Sequence, residues 1–176
     1  MNYLIAIALF ICLLLGSSSI LPSPVDPSLG SNSGFSLGIR DSIMIAHSFV
    51  GEEFGPAQNL HGATYTVDVD FLASSLVERC NWVIDIGLAS NMVNEILGKY
   101  NFKNLNDIFP EDNTTTEFMC QVIHRDLCEK LKESGFTGGL QVKLYESHKA
   151  WASYYRPVEW YSGWVSSECE WVITHE

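Results

Sequence analysis

Ala63-Thr64-Tyr65-Thr66-Val67-Asp68-Val69-Asp70-Phe71 alternates apolar and polar side chains without a break. Successive side chains of a strand point to opposite faces, so Tyr65, Val67, Val69 and Phe71 mark one face turned to a core, with polar neighbours facing away. Upstream, Phe35, Leu37, Ile39, Ile43 and Ile45 suggest a second extended run. The two are joined by residues 51–60, a stretch with Gly and Pro that reads as a loop of functional size in an antiparallel pair. Downstream, a short apolar segment at 81–86 leads into Leu88, Ala89, Met92, Val93, Ile96 and Leu97, whose spacing predicts a helix ending near Gly98. A second amphipathic helix is expected over 116–134. Phe118, Met119, Val122, Ile123, Leu127 and Leu131 share its apolar face, Thr115 or Thr116 caps it, and Gly135 stops it. Leu140, Val142 and Leu144 alternate again, and 151–155 gives a last short extended segment. The order strand, strand, helix, helix, strand, strand predicts an α+β fold, an antiparallel sheet with two helices on one face.

The chain has 176 residues, 47% of them hydrophobic and 18% charged, in the range of one globular domain. Twenty-one acidic against ten basic side chains give a net charge of -11, which repels a phosphate backbone and argues against nucleic acid as a partner. Residues 3–15 are almost unbroken Leu, Ile and Ala, and Gly16-Ser17-Ser18-Ser19 follows. An apolar run shorter than the ~20 residues of a bilayer span, ahead of small residues, has the shape of a signal peptide. Residues 1–19 are therefore expected to direct the chain to secretion or to the lumen of an endomembrane compartment or organelle, with no stable membrane span. No Lys or Arg precedes Arg40, so a mis-assigned start would leave the chain in the cytoplasm. Residues 20–34 hold Pro22, Pro24 and Pro27 and read as a linker. The folded domain is expected over 35–156, and residues 157–176, with Trp160, Trp164 and Trp171, form an aromatic C-terminal extension. Beyond the signal segment stand Cys80, Cys120, Cys128 and Cys169. They allow two disulfides in an oxidising compartment or, as plainly, buried thiols.

Four separated motifs then line up: His47 at the end of the first strand, His61-Gly62 entering the second, Thr115-Thr116-Glu117 opening the second helix, and Glu146 after the penultimate strand. With Lys103-Asn104-Leu105-Asn106 between the helices, they resemble the 6-pyruvoyl-tetrahydropterin synthase and 6-carboxytetrahydropterin synthase family, over about residues 38–154. The resemblance implies the tunnelling fold (T-fold, ββααββ), a homohexamer with sites at subunit boundaries, and a small-molecule pterin as partner. It also implies zinc at His47 and His61, and a pterin anchored by Glu146 with Thr115 and Thr116 completing the polar edge.

The sequence departs from the family pattern at two places. Ala63 stands where the third zinc-binding histidine is expected, which leaves Glu52, Glu53 or His148 as candidates for the missing ligand. The family's catalytic cysteine is absent, and Tyr100-Asn101-Phe102 replaces its Asp-His pair. A desolvated glutamate can serve as base, so Glu53 is the candidate substitute, although two loop glutamates are also ordinary solvated charges. His148 lies two residues after Glu146, on the same face if the segment is extended, and could replace the lost histidine. The implied activity is a carbon-oxygen lyase acting on 7,8-dihydroneopterin triphosphate or a related dihydropterin with zinc assistance. The alternatives are a non-catalytic pterin-binding protein or a dihydroneopterin aldolase-type activity. Asn113-Thr114-Thr115 is a glycosylation sequon beside the expected pterin edge.

Overall fold

The computed structural model describes residues 34–158. The segment expected to be a signal peptide, all of the expected linker but Gly34, and the three tryptophans of the C-terminal stretch lie outside the described residues. Strands β1 (Phe35–His47) and β2 (His61–Ala73) form a long antiparallel hairpin in a register that runs from Phe35 opposite Ala73 to His47 opposite His61. Helix α1 (Ile86–Gly98) follows, then a two-residue strand β3 (Lys103–Asn104) and a single helical turn α2 (Leu105–Ile108). Helix α3 (Thr116–Leu131) leads to β4 (Gly138–Tyr145) and β5 (Trp151–Val158). The sheet order is β3-β1-β2-β4-β5, antiparallel throughout except for the parallel β1–β3 pairing at Ile45 and Ala46.

The alternation in β2 does what its period requires: Tyr65, Val67, Val69, Phe71 and Ala73 are buried, and the residues between them are more open. Ile43 and Ile45 of β1 and Leu140, Val142 and Leu144 of β4 extend the same face. Helix α3 covers it with Met119, Val122, Ile123, Leu127 and Leu131, and α1 adds Ala89, Met92, Val93, Ile96 and Leu97. Truncating a fully buried member such as Ile123 to alanine would cost about 2–5 kcal/mol. The hydroxyl of Thr115 accepts from Phe118 N at 3.3 Å, so the cap expected at Thr115 or Thr116 falls to Thr115. At the other end Gly135 adopts φ 68°, a left-handed conformation suited to glycine that stops the helix.

The elements absent from the sequence reading are the ones made by side chains far apart in the chain. Residues 100–102, where the Asp-His pair is missing, hold the edge of β1. Asn101 Oδ1 accepts from Met44 N at 3.0 Å, and Phe102 N donates to Met44 O at 2.7 Å. Tyr100 donates its hydroxyl to Asp126 Oδ2 at 2.8 Å. No disulfide joins the described cysteines, and Cys169 lies outside the described residues. Among the described residues no helix is long and apolar enough to cross a membrane.

Candidate metal centre

The β1–β2 register makes His47 and His61 the last cross-strand pair of the hairpin, and their rings lie with centroids 4.6 Å apart. Glu146 follows the end of β4 and reaches the same place. One ligand atom from each of His47, His61 and Glu146 falls within 4.8 Å of the others.

Hydrogen bonds fix how both imidazoles present themselves. His47 Nδ1 lies 3.1 Å from the Thr114 carbonyl oxygen and 3.1 Å from Thr114 Oγ1. His61 Nδ1 lies 2.8 Å from the Asn59 carbonyl oxygen. A carbonyl can only accept, so each Nδ1 carries the proton and each Nε2 carries the lone pair. This is the arrangement in which metal-binding histidines are held, with the second ring nitrogen tied to a carbonyl. His47 is wholly buried and its Nε2 has no partner within the protein. Burial holds the His47 imidazole below its ordinary pKa, His61 pushes the same way, and the Thr114 carbonyl and Glu146 oppose them. A neutral ring is the form that binds a metal. The donor set of two imidazoles and a carboxylate suits zinc.

The loop after His47 is fastened by two asparagines acting as substitute strands. Asn106 accepts from Ser48 N at 2.7 Å and donates to Ser48 O at 2.8 Å. Asn113 does the same for Val50, at 2.7 and 2.9 Å. The side-chain amide of the sequon is thus engaged in the folded chain, and its Thr115 caps α3. Phe49 packs against both histidines and against Phe54, tying down the 3-10 segment Glu52–Gln58.

Glu146 accepts from Thr116 Oγ1 at 2.9 Å through Oε2, so the expected neighbours Glu146 and Thr116 do meet. The expected third ligands do not join the histidines. Glu52 and Glu53 are exposed, and the Glu53 carboxylate folds over Gly51, whose φ of 131° and lack of a side chain make room for it. His148 is on the other side of the sheet, lining a groove of about 360 Å³ with Arg40, Thr64, Thr66, Tyr145 and Ser147. The segment is not extended there but forms the β4–β5 turn. Ser147 Oγ accepts from the backbone N–H groups of Lys149 and Ala150, both at 3.2 Å, so residues 146 and 148 do not share a face. A second, apolar groove of about 380 Å³, bounded by Phe35, Leu37, Leu76, Trp82 and Ile86, lies at the far end of β1 and carries no titratable group.

The sequence reading missed Thr114, whose buried side chain and carbonyl orient His47, and Tyr65, whose fully buried hydroxyl has no partner in the fold. Polar residues flanking a predicted helix cap were the available sign for Thr114. None marked Tyr65, which reads as one more apolar member of β2.

An antiparallel sheet backed by two helices, with a histidine pair and a glutamate gathered at one end of its strands, defines a T-fold protein with a candidate metal centre. A sequence profile described as 6-pyruvoyl tetrahydropterin synthase matches residues 36–157, and the chain belongs to that family. Its fold is similar to the 6-pyruvoyl tetrahydropterin synthase of Caenorhabditis elegans, with a TM-score of 0.60 and 19% identity over 69% of this chain and 94% of that one. It is similar also to the Plasmodium falciparum synthase, at a TM-score of 0.57 and 18% identity over 72% and 99% of the two chains. A Plasmodium vivax synthase described as a catalytic-residue mutant, glutamate to alanine, gives a TM-score of 0.57 and 17% identity over 72% and 99%. No curated protein sequence matches significantly.

Proposed function

We propose that the chain binds a dihydropterin beside a zinc ion held by His47 and His61, and acts as a carbon-oxygen lyase of the tetrahydropterin synthase type on 7,8-dihydroneopterin triphosphate or a related compound. The observation that carries this reading is the tautomer lock: both imidazoles have Nδ1 tied to a carbonyl, at 3.1 and 2.8 Å, which leaves Nε2 the lone-pair nitrogen of each, in a pair of histidines with ligand atoms within 4.8 Å of one another. Bound zinc supplies Lewis-acid polarisation of a substrate oxygen. Glu146 anchors the pterin, because a carboxylate meets the ring N–H and exocyclic amine of an amino-pyrimidinone in paired geometry. Thr116 orients that carboxylate, and Thr115 fixes the start of α3 beneath it. Glu53, exposed in the chain alone, is the candidate for the base in place of the family's cysteine, and bound substrate would have to supply its desolvation. The Plasmodium vivax synthase whose glutamate is described as catalytic supports a carboxylate in that role. His148, on the outer face, stands outside the reaction in this reading.

A second reading, a pterin-binding protein without turnover, is favoured by one observation. The positions of the Asp-His pair are given over to holding β1, through Asn101 and Phe102. Calorimetry with a dihydropterin on metal-stripped protein, together with a turnover assay on the zinc-loaded protein, separates the two. Glu146→Gln should weaken binding about tenfold to a few hundredfold, corresponding to ~1.4–3.5 kcal/mol. Glu53→Gln should spare binding and abolish turnover. Tight binding with no turnover in the unaltered chain would establish the second reading, and equal affinity for Glu146→Gln would remove Glu146 as the anchor.

A further inference from the structure

We propose that Glu146 is the third protein ligand of the metal, so that metal and pterin draw on the same carboxylate and oppose each other's binding. The half of this that concerns the pterin rests on the function proposed above; the half that concerns the metal does not.

Three observations lead to Glu146. Ala63 has only a methyl group where a third imidazole would complete the set, and two histidines hold zinc weakly. The buried Nε2 of His47 lacks any partner within the protein, a costly state for a polar atom unless something outside the chain satisfies it. And of the acidic side chains described, Glu146 is the one grouped with both histidines, within 4.8 Å. Thr116 holds Oε2 at 2.9 Å, which leaves the second oxygen for a further bond. A ligating carboxylate with one oxygen hydrogen-bonded to a neighbour is the usual form.

The carboxylate oxygen that coordinates a cation gives up to it the charge and lone pair with which it would meet a pterin N–H, and the Thr116 contact on Oε2 limits how far the group can turn to serve both. Arrival of the pterin therefore draws Glu146 from the metal, and the metal in turn withholds Glu146 from the pterin. Linkage makes the two effects equal in size. A dihydropterin with no side-chain oxygen offers the metal nothing in exchange, so the opposition is fullest with such a molecule.

The test titrates zinc against a chromophoric chelator on the full chain, on Glu146→Gln, Glu146→Asp and His61→Ala, with and without saturating 6-methyl-7,8-dihydropterin. Glu146→Gln should bind zinc at least tenfold more weakly, as His61→Ala does, while Glu146→Asp falls between. In the unaltered chain the dihydropterin should weaken zinc about tenfold or more. Unchanged zinc affinity in Glu146→Gln beside a loss in His61→Ala would overturn the ligand assignment, and so would an unaltered chain that binds no zinc. If Glu146→Gln loses zinc but the dihydropterin neither binds metal-free protein nor changes zinc affinity, the ligand assignment is upheld and the pterin anchor fails. Circular dichroism of the variants keeps loss of fold separate from loss of ligand; Glu146 is solvent-accessible, so its replacement leaves the core intact.

Discussion

Tyr65 carries a hydroxyl that is fully buried and without a partner in the protein. Burial pushes this phenol well above its usual pKa, with Glu146, Cys120 and Glu117 adding to the effect, so it stays protonated. Its ring lies 6.1 Å from that of His47, on the same face of β2 as the metal candidates. A buried unsatisfied hydroxyl costs about 1–3 kcal/mol, and deleting it relieves that cost. Tyr65→Phe should therefore leave stability to urea unchanged or raise it by about 1 kcal/mol, at constant m-value. A clear loss would show that a bound water or ligand satisfies the hydroxyl. Cysteine chemistry gives a second check on burial. Cys120 is fully buried, and burial pushes its thiol up to about 12, whereas Cys80 is exposed. The thiolate is the reactive form, so a short pulse of alkylating reagent at pH 8 should label Cys80 and spare Cys120, as read by peptide mass mapping. Labelling of Cys120 at a comparable rate would mean that α3 does not stay packed on β5, where Cys120 Sγ now meets Ala152 O at 3.5 Å.

At the scale of elements, the outer face of the β1–β2 hairpin sets two carboxylates against each other. Arg40 grips Asp68 with Nε at 2.5 Å and a second nitrogen at 2.7 Å, and holds its carboxyl below the usual range. Asp70, two residues on, is raised by burial first and by Asp68 second. The signs oppose. Asp68 contributes stability above its unfolded pKa that is lost as the pH falls through its folded value. Asp70 ionised is a liability above its folded pKa that vanishes below its unfolded value. Asp70→Asn should accordingly stabilise the fold modestly at pH 7, and thermal melts at pH 3 should show no such gain. A gain that persists in acid would point to packing instead of charge. These strands were legible because a period of two survives in sequence. Helix α3 was legible for a similar reason, since Thr115, the apolar stripe and Gly135 are all local signals. β3, α2 and the 3-10 segment Glu52–Gln58 were not. A two-residue strand has no period, and its existence depends on Met44 meeting Phe102 and on Ser48 meeting Asn106, contacts that no window of sequence contains. Whether 146–149 is extended or a turn was not legible, because one hydroxyl, on Ser147, decides it.

For the whole molecule, the resemblance already paired His47 with His61 as zinc ligands, but that Glu146 lies with them could not be read from it. Glu146 was read as an anchor alone because nothing local says that the end of β4 and the end of β1 share a space. Thr114 escaped notice because it acts on a residue 67 positions away. The same sheet that gathers these residues also leaves two edges, β3 and β5. β3 pairs with β1 only at Ile45 and Ala46, so among the described residues most of β1 has no neighbour on that side. β5 offers its outer edge along Trp151–Val158, with Trp151 56% and Tyr155 37% exposed. Long unpaired edges carrying aromatic side chains are a standing invitation to further pairing, and joining edge to edge around a ring removes them. The homohexamer expected from the resemblance would do this if β5 of one copy met β1 of the next. Light scattering on the full chain at micromolar concentration should therefore give a particle close to six times the 19.7 kDa of one chain. Its mass should hold on dilution and in high salt, because strand pairing and apolar burial are not screened as surface charge is. A stable monomer would rule out the ring. The candidate metal centre would survive that outcome, since one chain supplies His47, His61 and Glu146, but a pterin site shared between subunits would not.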